Sequence, residues 1–309
     1  MEDHFSSIRY LIISAVIVMV SVFITSMVGI SIQEELKGLA KPTLIFLLLF
    51  TATGKLFSFV QFIGFFGPIF GIVLGFDAIN RERVSRTLSK LLSQPIYRDS
   101  VINGKFLAGV TTIAIVLAGI VLIISGLGLK LIGVVPGPEE VFRLVIYLVI
   151  SLLYISFWLG ISILFSVIFR STATSVLASL ALWIFFSFFI GLGSGVVADA
   201  VAPISQASQA NPEAIVKHAE IQRTISLCSP MNLYGEATST ILDPMRKTTS
   251  SIILMGPLER LSISRFQNPL PLLDSVKIVW PDLVSIIAVT FVCFGICYLV
   301  FMRQEIRTV

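Results

Sequence analysis

The residues of this chain that could do chemistry are few, and most crowd into one stretch. Between Gly71 and Gly109 stand Asp77, Arg81, Glu82, Arg83, Arg86, Lys90, Arg98, Asp99 and Lys105, the densest charge in the sequence. Such a set offers ion pairing, with a partner or with lipid head groups. Val84, Leu88, Leu91 and Leu92 fall at spacings of 4, 7 and 8, the pattern of one helix face. The stretch over about 78–95 therefore reads as an amphipathic helix lying against a membrane surface or a partner. A basic loop that only fixes topology is the plainer alternative.

Catalytic chemistry has little to work with. The two histidines, His4 and His218, lie outside every apolar run and read as solvated surface residues. There is no His-Glu-x-x-His pair for a metalloprotease and no base close to a candidate nucleophilic serine. Gly54-Lys55 and Gly104-Lys105 lack the leading glycine and the following Ser or Thr of a phosphate-binding loop. Cys293 and Cys297 lie one helical turn apart in an apolar run and read as packing residues, and Cys228 has no evident partner. The sequence thus points to recognition and movement rather than bond-making. Energy for active transport has to come from another polypeptide.

The elements that must position the charged stretch are apolar. The chain has 309 residues, 56% hydrophobic and 13% charged, with a mean hydropathy of +0.96. A soluble domain carries about 25% charged residues. The basic residues stand at the ends of apolar runs, so the net charge of +4 is not a nucleic-acid signal. About 20 apolar residues cross a bilayer. Six runs meet that length: Tyr10–Ile32, Leu56–Phe76, Phe106–Leu129, Leu144–Phe169, Thr174–Val197 and Leu283–Met302. None carries a charged residue or His in its interior, which argues against an ion-coupled transporter or voltage sensor. Pro42–Thr53 is apolar but too short to cross, and is expected to dip into the interface or pack on the spans. Pro68 predicts a kink in the second span. Gly64, Gly67, Gly71 and Gly75 form a small-residue stripe suited to close approach of another helix. They are candidates for a dimer interface, competing with the first and fifth spans, or for packing within one subunit.

The chain divides into residues 1–197, with five spans and the amphipathic helix, a polar segment 198–281, and 282–309 with the sixth span and a basic tail. Within the polar segment, Asn211-Pro212-Glu213 has the order of a helix start, with the helix running to about Cys228. Leu233–Leu242 reads as a second short helix. Pro257, Pro269 and Pro271 suggest irregular structure beyond it. Basic residues set the orientation. With the N-terminus inside, Arg9, Arg81, Arg83, Arg86, Lys90, Arg98, Lys105, Arg170, Arg303 and Arg307 are cytoplasmic. Only Lys37, Lys41, Lys55, Lys130 and Arg143 fall in short outer loops. Both termini are then cytoplasmic and segment 198–281 is extracytoplasmic.

The order of residues in the charged stretch resembles the signature of permease subunits of type-2 ABC exporters, a family that includes drug, bacteriocin and copper-enzyme-maturation permeases. Glu82, Thr87-Leu88, Leu91-Leu92-Ser93, Pro95, Arg98 and Gly104-Lys105 stand at the family's spacing. Arg86 replaces a usual glycine and Val84 a second acidic residue. Ser229–Pro244 is similar to the segment before the last span in the same family. The resemblance implies an all-α membrane protein with six transmembrane helices and a cytoplasmic coupling helix. It implies a permease that exports substrate when a separate ABC ATPase, expected in two copies, hydrolyses ATP. ATP and Mg²⁺ then belong to that partner, with no cofactor or metal on this chain. Glu82, Arg83, Arg86, Thr87, Leu88, Leu91, Leu92, Pro95 and Arg98 become the candidate ATPase contacts. The remaining expectations are a homodimer or paralogous pair, in contact with lipid, in the plasma membrane. A membrane scaffold or receptor acting through segment 198–281 is the alternative class.

Overall fold

A computed structural model describes residues 8–35, 44–51, 58–85, 98–203, 212–244 and 270–303, and they form helices and turns with no strand. Six stretches are long and apolar enough to cross a membrane: Leu11–Glu34, Phe59–Val84, Asp99–Ile132, Pro138–Ile168, Thr172–Val201 and Leu272–Arg303. The all-α, six-span architecture read from hydropathy is therefore present. The helices of the first, third, fifth and sixth spans run past their apolar windows at both ends. Hydropathy changes where water begins, but backbone hydrogen bonding does not stop there.

In chain order, α1 is Ile8–Glu35. A 3₁₀ turn at Ile45–Leu47 leads into the one-turn α2, Leu48–Thr51. Phe46, Leu47, Leu49 and Phe50 are almost wholly buried, so this short segment packs on the spans. The helix α3 spans Phe59–Gly75, with Ser58 and Gln61 forming a reciprocal cap at 3.2 and 2.9 Å. A turn separates it from α4, Asn80–Val84. Then come α5, Arg98–Ile132, and α6, Pro138–Ile168. The fifth span is α7, Thr172–Ile184, a π turn at Phe185–Phe189, and α8, Ile190–Val201. Two shorter helices follow, α9 at Pro212–Ser226 and α10 at Pro230–Leu242, before the last span α11, Leu272–Arg303.

The middle of the bundle is α6, which touches α3, α5, α7, α10 and α11. Its closest neighbour is α3. A Cβ on Gly71 would lie 2.7 Å from the Ile155 carbonyl oxygen, and one on Gly75 would lie 2.9 Å from that of Leu159. Only glycine permits this backbone contact. Pro68 lies inside α3, and its ring nitrogen cannot donate to the carbonyl of Gly64 one turn earlier. The Tyr154 hydroxyl of α6 donates to that carbonyl instead, at 2.8 Å. Ser162 donates to the Ile72 carbonyl at 2.8 Å. Hydroxyls thus reinforce the α3–α6 seam on both sides of the glycine contacts.

Within segment 198–281 every residue of α10 is buried, between α6 and α11. Its small hydroxyls are satisfied within the helix: Thr238 donates to the Tyr234 carbonyl, and Ser239 and Thr240 to that of Glu236. Such residues score as polar yet present an apolar surface to their neighbours. The last span also starts at Leu272, well before Leu283, with Pro281 inside it.

Candidate functional site: coupling helix and polar core

At one end of the bundle, α4 carries Arg81, Glu82 and Arg83 of the charged stretch. Glu82 pairs with Lys105 of α5 at 2.7 Å, so this carboxylate is engaged within the chain. Arg83 is half-buried, while Val84, the first residue of the expected apolar face, is 73% exposed. Arg86, Thr87, Leu88, Leu91, Leu92 and Pro95 lie outside the described residues, and so does most of the proposed 78–95 helix. Arg98 opens α5. The start of α4 is tied to the bundle: Ser166 of α6 accepts from the backbone N–H groups of Ile79 and Asn80 at 3.0 and 3.2 Å.

The glycine stripe faces inward. Gly67, Gly71 and Gly75 all meet Ile155 or Leu159 of α6 in the same chain, and the Gly64 carbonyl is taken by Tyr154. These positions serve packing within the subunit.

At the opposite end of α6 lies a polar cluster that the sequence reading did not assemble. Arg143, counted there as a loop cation, is completely buried. Its guanidinium uses all five N–H groups. Nε and Nη2 donate to Glu139 at 3.1 and 2.8 Å, and Nη2 also to the Leu270 carbonyl at 2.6 Å. Nη1 donates to the Ile241 carbonyl at 2.8 Å and to Ser275 Oγ at 3.2 Å. Ile241 lies in the last turn of α10, where helix carbonyls lack internal donors, so the arginine caps that helix from another. Beside it, Glu140 accepts from the N–H groups of Phe46 and Gly137 at 3.0 and 2.8 Å. One turn of α6 thereby holds α10, α11 and the segment before α2.

Between α9 and α10 the chain forms a hairpin set against the spans. His218 meets Asp199 near the end of α8 at 2.9 Å. At the tip, Ser229 donates to the Phe186 carbonyl at 2.8 Å. That carbonyl belongs to the π turn, where wide winding disturbs the regular bonding ladder. From Asp199 down to Phe186 is about 20 Å of helix, so the hairpin reaches toward the middle of the fifth span. Tyr234 of α10 stacks on Tyr154 at 4.5 Å, lies 3.1 Å from Ser151 Oγ and donates to Tyr147 at 3.3 Å. Glu236, with a side chain 4% exposed, accepts from Arg223 of α9 at 2.9 Å. Burial pushes the Glu236 carboxyl above the ordinary carboxylate range, and the hydrogen bond and charge of Arg223 pull it only partly back.

What this arrangement offers is mechanical: a charged element at one end, a closely packed pair α3–α6, and an arginine clasp on the buried helix α10 at the other. The weak sequence signal for the clasp was Arg143 four residues after Glu139, a spacing that pairs charges on a helix face. The profile of one protein family, described as ABC-2 family transporter protein, matches residues 3–306. No curated protein matches the sequence.

Proposed function

The chain belongs to the ABC-2 family of transporter proteins, a multi-pass membrane component of an ABC transporter, and on that premise we propose that it is the permease of an exporter driven by a separate ATPase. The family match across nearly the whole chain carries this reading. Permeases of this kind associate with an ABC ATPase in general. Here we assign the partner two copies, with ATP and Mg²⁺ bound on it, and a two-fold assembly of this chain with itself or a paralogue. The membrane is the plasma membrane. Both termini and α4 are cytoplasmic, and the Arg143 clasp and the α9–α10 hairpin lie toward the outside. Because the glycine stripe is covered by α6, the second copy docks on a lipid-facing span. The fifth span presents Leu177, Phe185, Phe189 and Leu192, all more than 45% exposed.

The test is purification of the intact complex with its ATPase and reconstitution into vesicles. Leu88 lies on the apolar face that would seat the coupling helix in the ATPase or against the membrane core. Leu88→Asp would bury an unpaired carboxylate there, at a cost of several kcal/mol. The variant is expected to insert but lose its ATPase on purification. Glu82→Ala removes a partly exposed pair worth about 1 kcal/mol or less, so it should weaken transport more than assembly. Normal ATPase recovery and transport by Leu88→Asp would reject the coupling role of this helix.

A further inference from the structure

The first N–H groups of a helix need acceptors from outside it. The residue before α4 is Ile79, whose side chain offers none. The acceptor comes from another helix: Ser166 Oγ takes the N–H of Ile79 and of Asn80. All three residues are fully buried. Ser166 lies half a turn before the end of α6, so the start of α4 is set on the end of the central helix.

Asn80 adds a second, independent observation. Among the described residues neither its side-chain oxygen nor its side-chain nitrogen has a hydrogen-bond partner, although the residue has no exposed surface. An unbonded amide in such a place opposes the fold that holds it, and a leucine of similar size would fill the space without that penalty. An unbonded amide at a junction between a short helix and the bundle is what one expects if the junction has a second position in which it is bonded.

We infer that Asn80 and Ser166 form a two-position joint: Ser166 keeps the start of α4 on α6, and Asn80 carries an amide that is bonded only when α4 has shifted. Displacement of α4 is passed to α6 through this joint. The glycine contacts and the Ser162 and Tyr154 hydrogen bonds make α3 and α6 move together. At the far end of α6, Arg143 holds α10 and α11. The inference rests on the reading of α4 as the receiver of the ATPase stroke.

The experiment uses the purified complex in phosphatidylethanolamine–phosphatidylglycerol vesicles. It measures ATP hydrolysis relative to the free ATPase, and the unfolding midpoint without nucleotide. Asn80→Leu removes the unbonded amide. The nucleotide-free midpoint should rise by about 2 °C or more, while stimulation of hydrolysis falls about five-fold or more with the ATPase still bound. Ser166→Ala should lower stimulation, and Ser166→Thr, which keeps the acceptor, should restore it. A merely structural Asn80 would show a changed midpoint with stimulation intact, and that result overturns the joint. A lowered midpoint in Asn80→Leu, or equal stimulation in the Ala and Thr variants, also overturns it. If the wild-type chain brings down no ATPase, the exporter reading fails and the joint fails with it. If the wild type couples and Asn80→Leu couples equally well, the joint alone fails.

Discussion

Arg143 shows how a single side chain can organise an end of the molecule. Its partners lie 98, 127 and 132 residues away in sequence, besides Glu139 on its own helix. Removing it would leave three acceptors unpaired, while Glu139, whose side chain is 46% exposed, can turn to water. Leaving a buried acceptor unpaired costs about 1–3 kcal/mol, so Arg143→Ala should unfold at a clearly lower temperature. Arg143→Lys keeps the charge but cannot serve all four acceptors, and should fall between the two. Nothing in the stretch Pro136–Arg143 marks this arginine as buried, because its distant acceptors, two backbone carbonyls and the Ser275 hydroxyl, are brought in by the fold. Glu236 supplies a second residue-scale test. A carboxyl whose value is raised by folding holds its proton more tightly folded than unfolded. Its contribution is present at low pH and is lost as pH rises through the raised value. Glu236→Gln mimics the protonated form. The midpoint of the wild type should therefore drop relative to that of Glu236→Gln as pH is raised from about 4 toward 7. A gap that instead opens in favour of the wild type would mean that the Arg223 pair outweighs desolvation.

The α3–α6 pair sets the tolerances at the scale of helices. A methyl on Gly71 would press on the carbonyl oxygen of Ile155 at 2.7 Å and the amide nitrogen of Leu159 at 3.1 Å, and backbone atoms cannot swing aside. Gly71→Ala should push the helices apart and cost about 1–3 kcal/mol. Gly119 in α5 has nothing within 4 Å of the same position. Gly119→Ala should stabilise by about 0.5–1 kcal/mol through helix propensity. Equal shifts in the unfolding midpoints of the two variants would contradict the close contact. The spans themselves were legible, because an uninterrupted apolar run long enough to cross a bilayer leaves little choice. The stripe at Gly64, Gly67, Gly71 and Gly75 was legible as a contact surface, but its partner was not. Spacing says that a helix comes close and does not say whose. The burial of α10 was hidden for a different reason: its Ser and Thr bond their own helix, so composition overstated its polarity. Asn80 gave no signal, being one polar residue at the edge of a charged stretch.

At the scale of the whole molecule, orientation and the hairpin are tested by one thiol. The chain has three cysteines. Cys297 is fully buried and Cys293 half-buried within α11, whereas Cys228 is exposed at the turn between α9 and α10. The surface of α9 leading to it carries Lys217, Glu220, Gln222, Arg223 and Thr224, all exposed. The Arg223 side chain is 53% exposed although Glu236 pairs with it. Cations at membrane depth turn toward water-filled space or a partner rather than toward lipid tails. We therefore expect the outer side to hold a wet recess along α9, reaching the level of Phe186. A membrane-impermeant maleimide added to intact cells should label Cys228 and neither of the other two, and Cys228→Ser should abolish the signal. Labelling only after the cytoplasmic face is opened would reverse the assigned orientation. A signal absent from both sides, yet restored on unfolding, would place the α9 face against another subunit or in lipid and remove the wet recess.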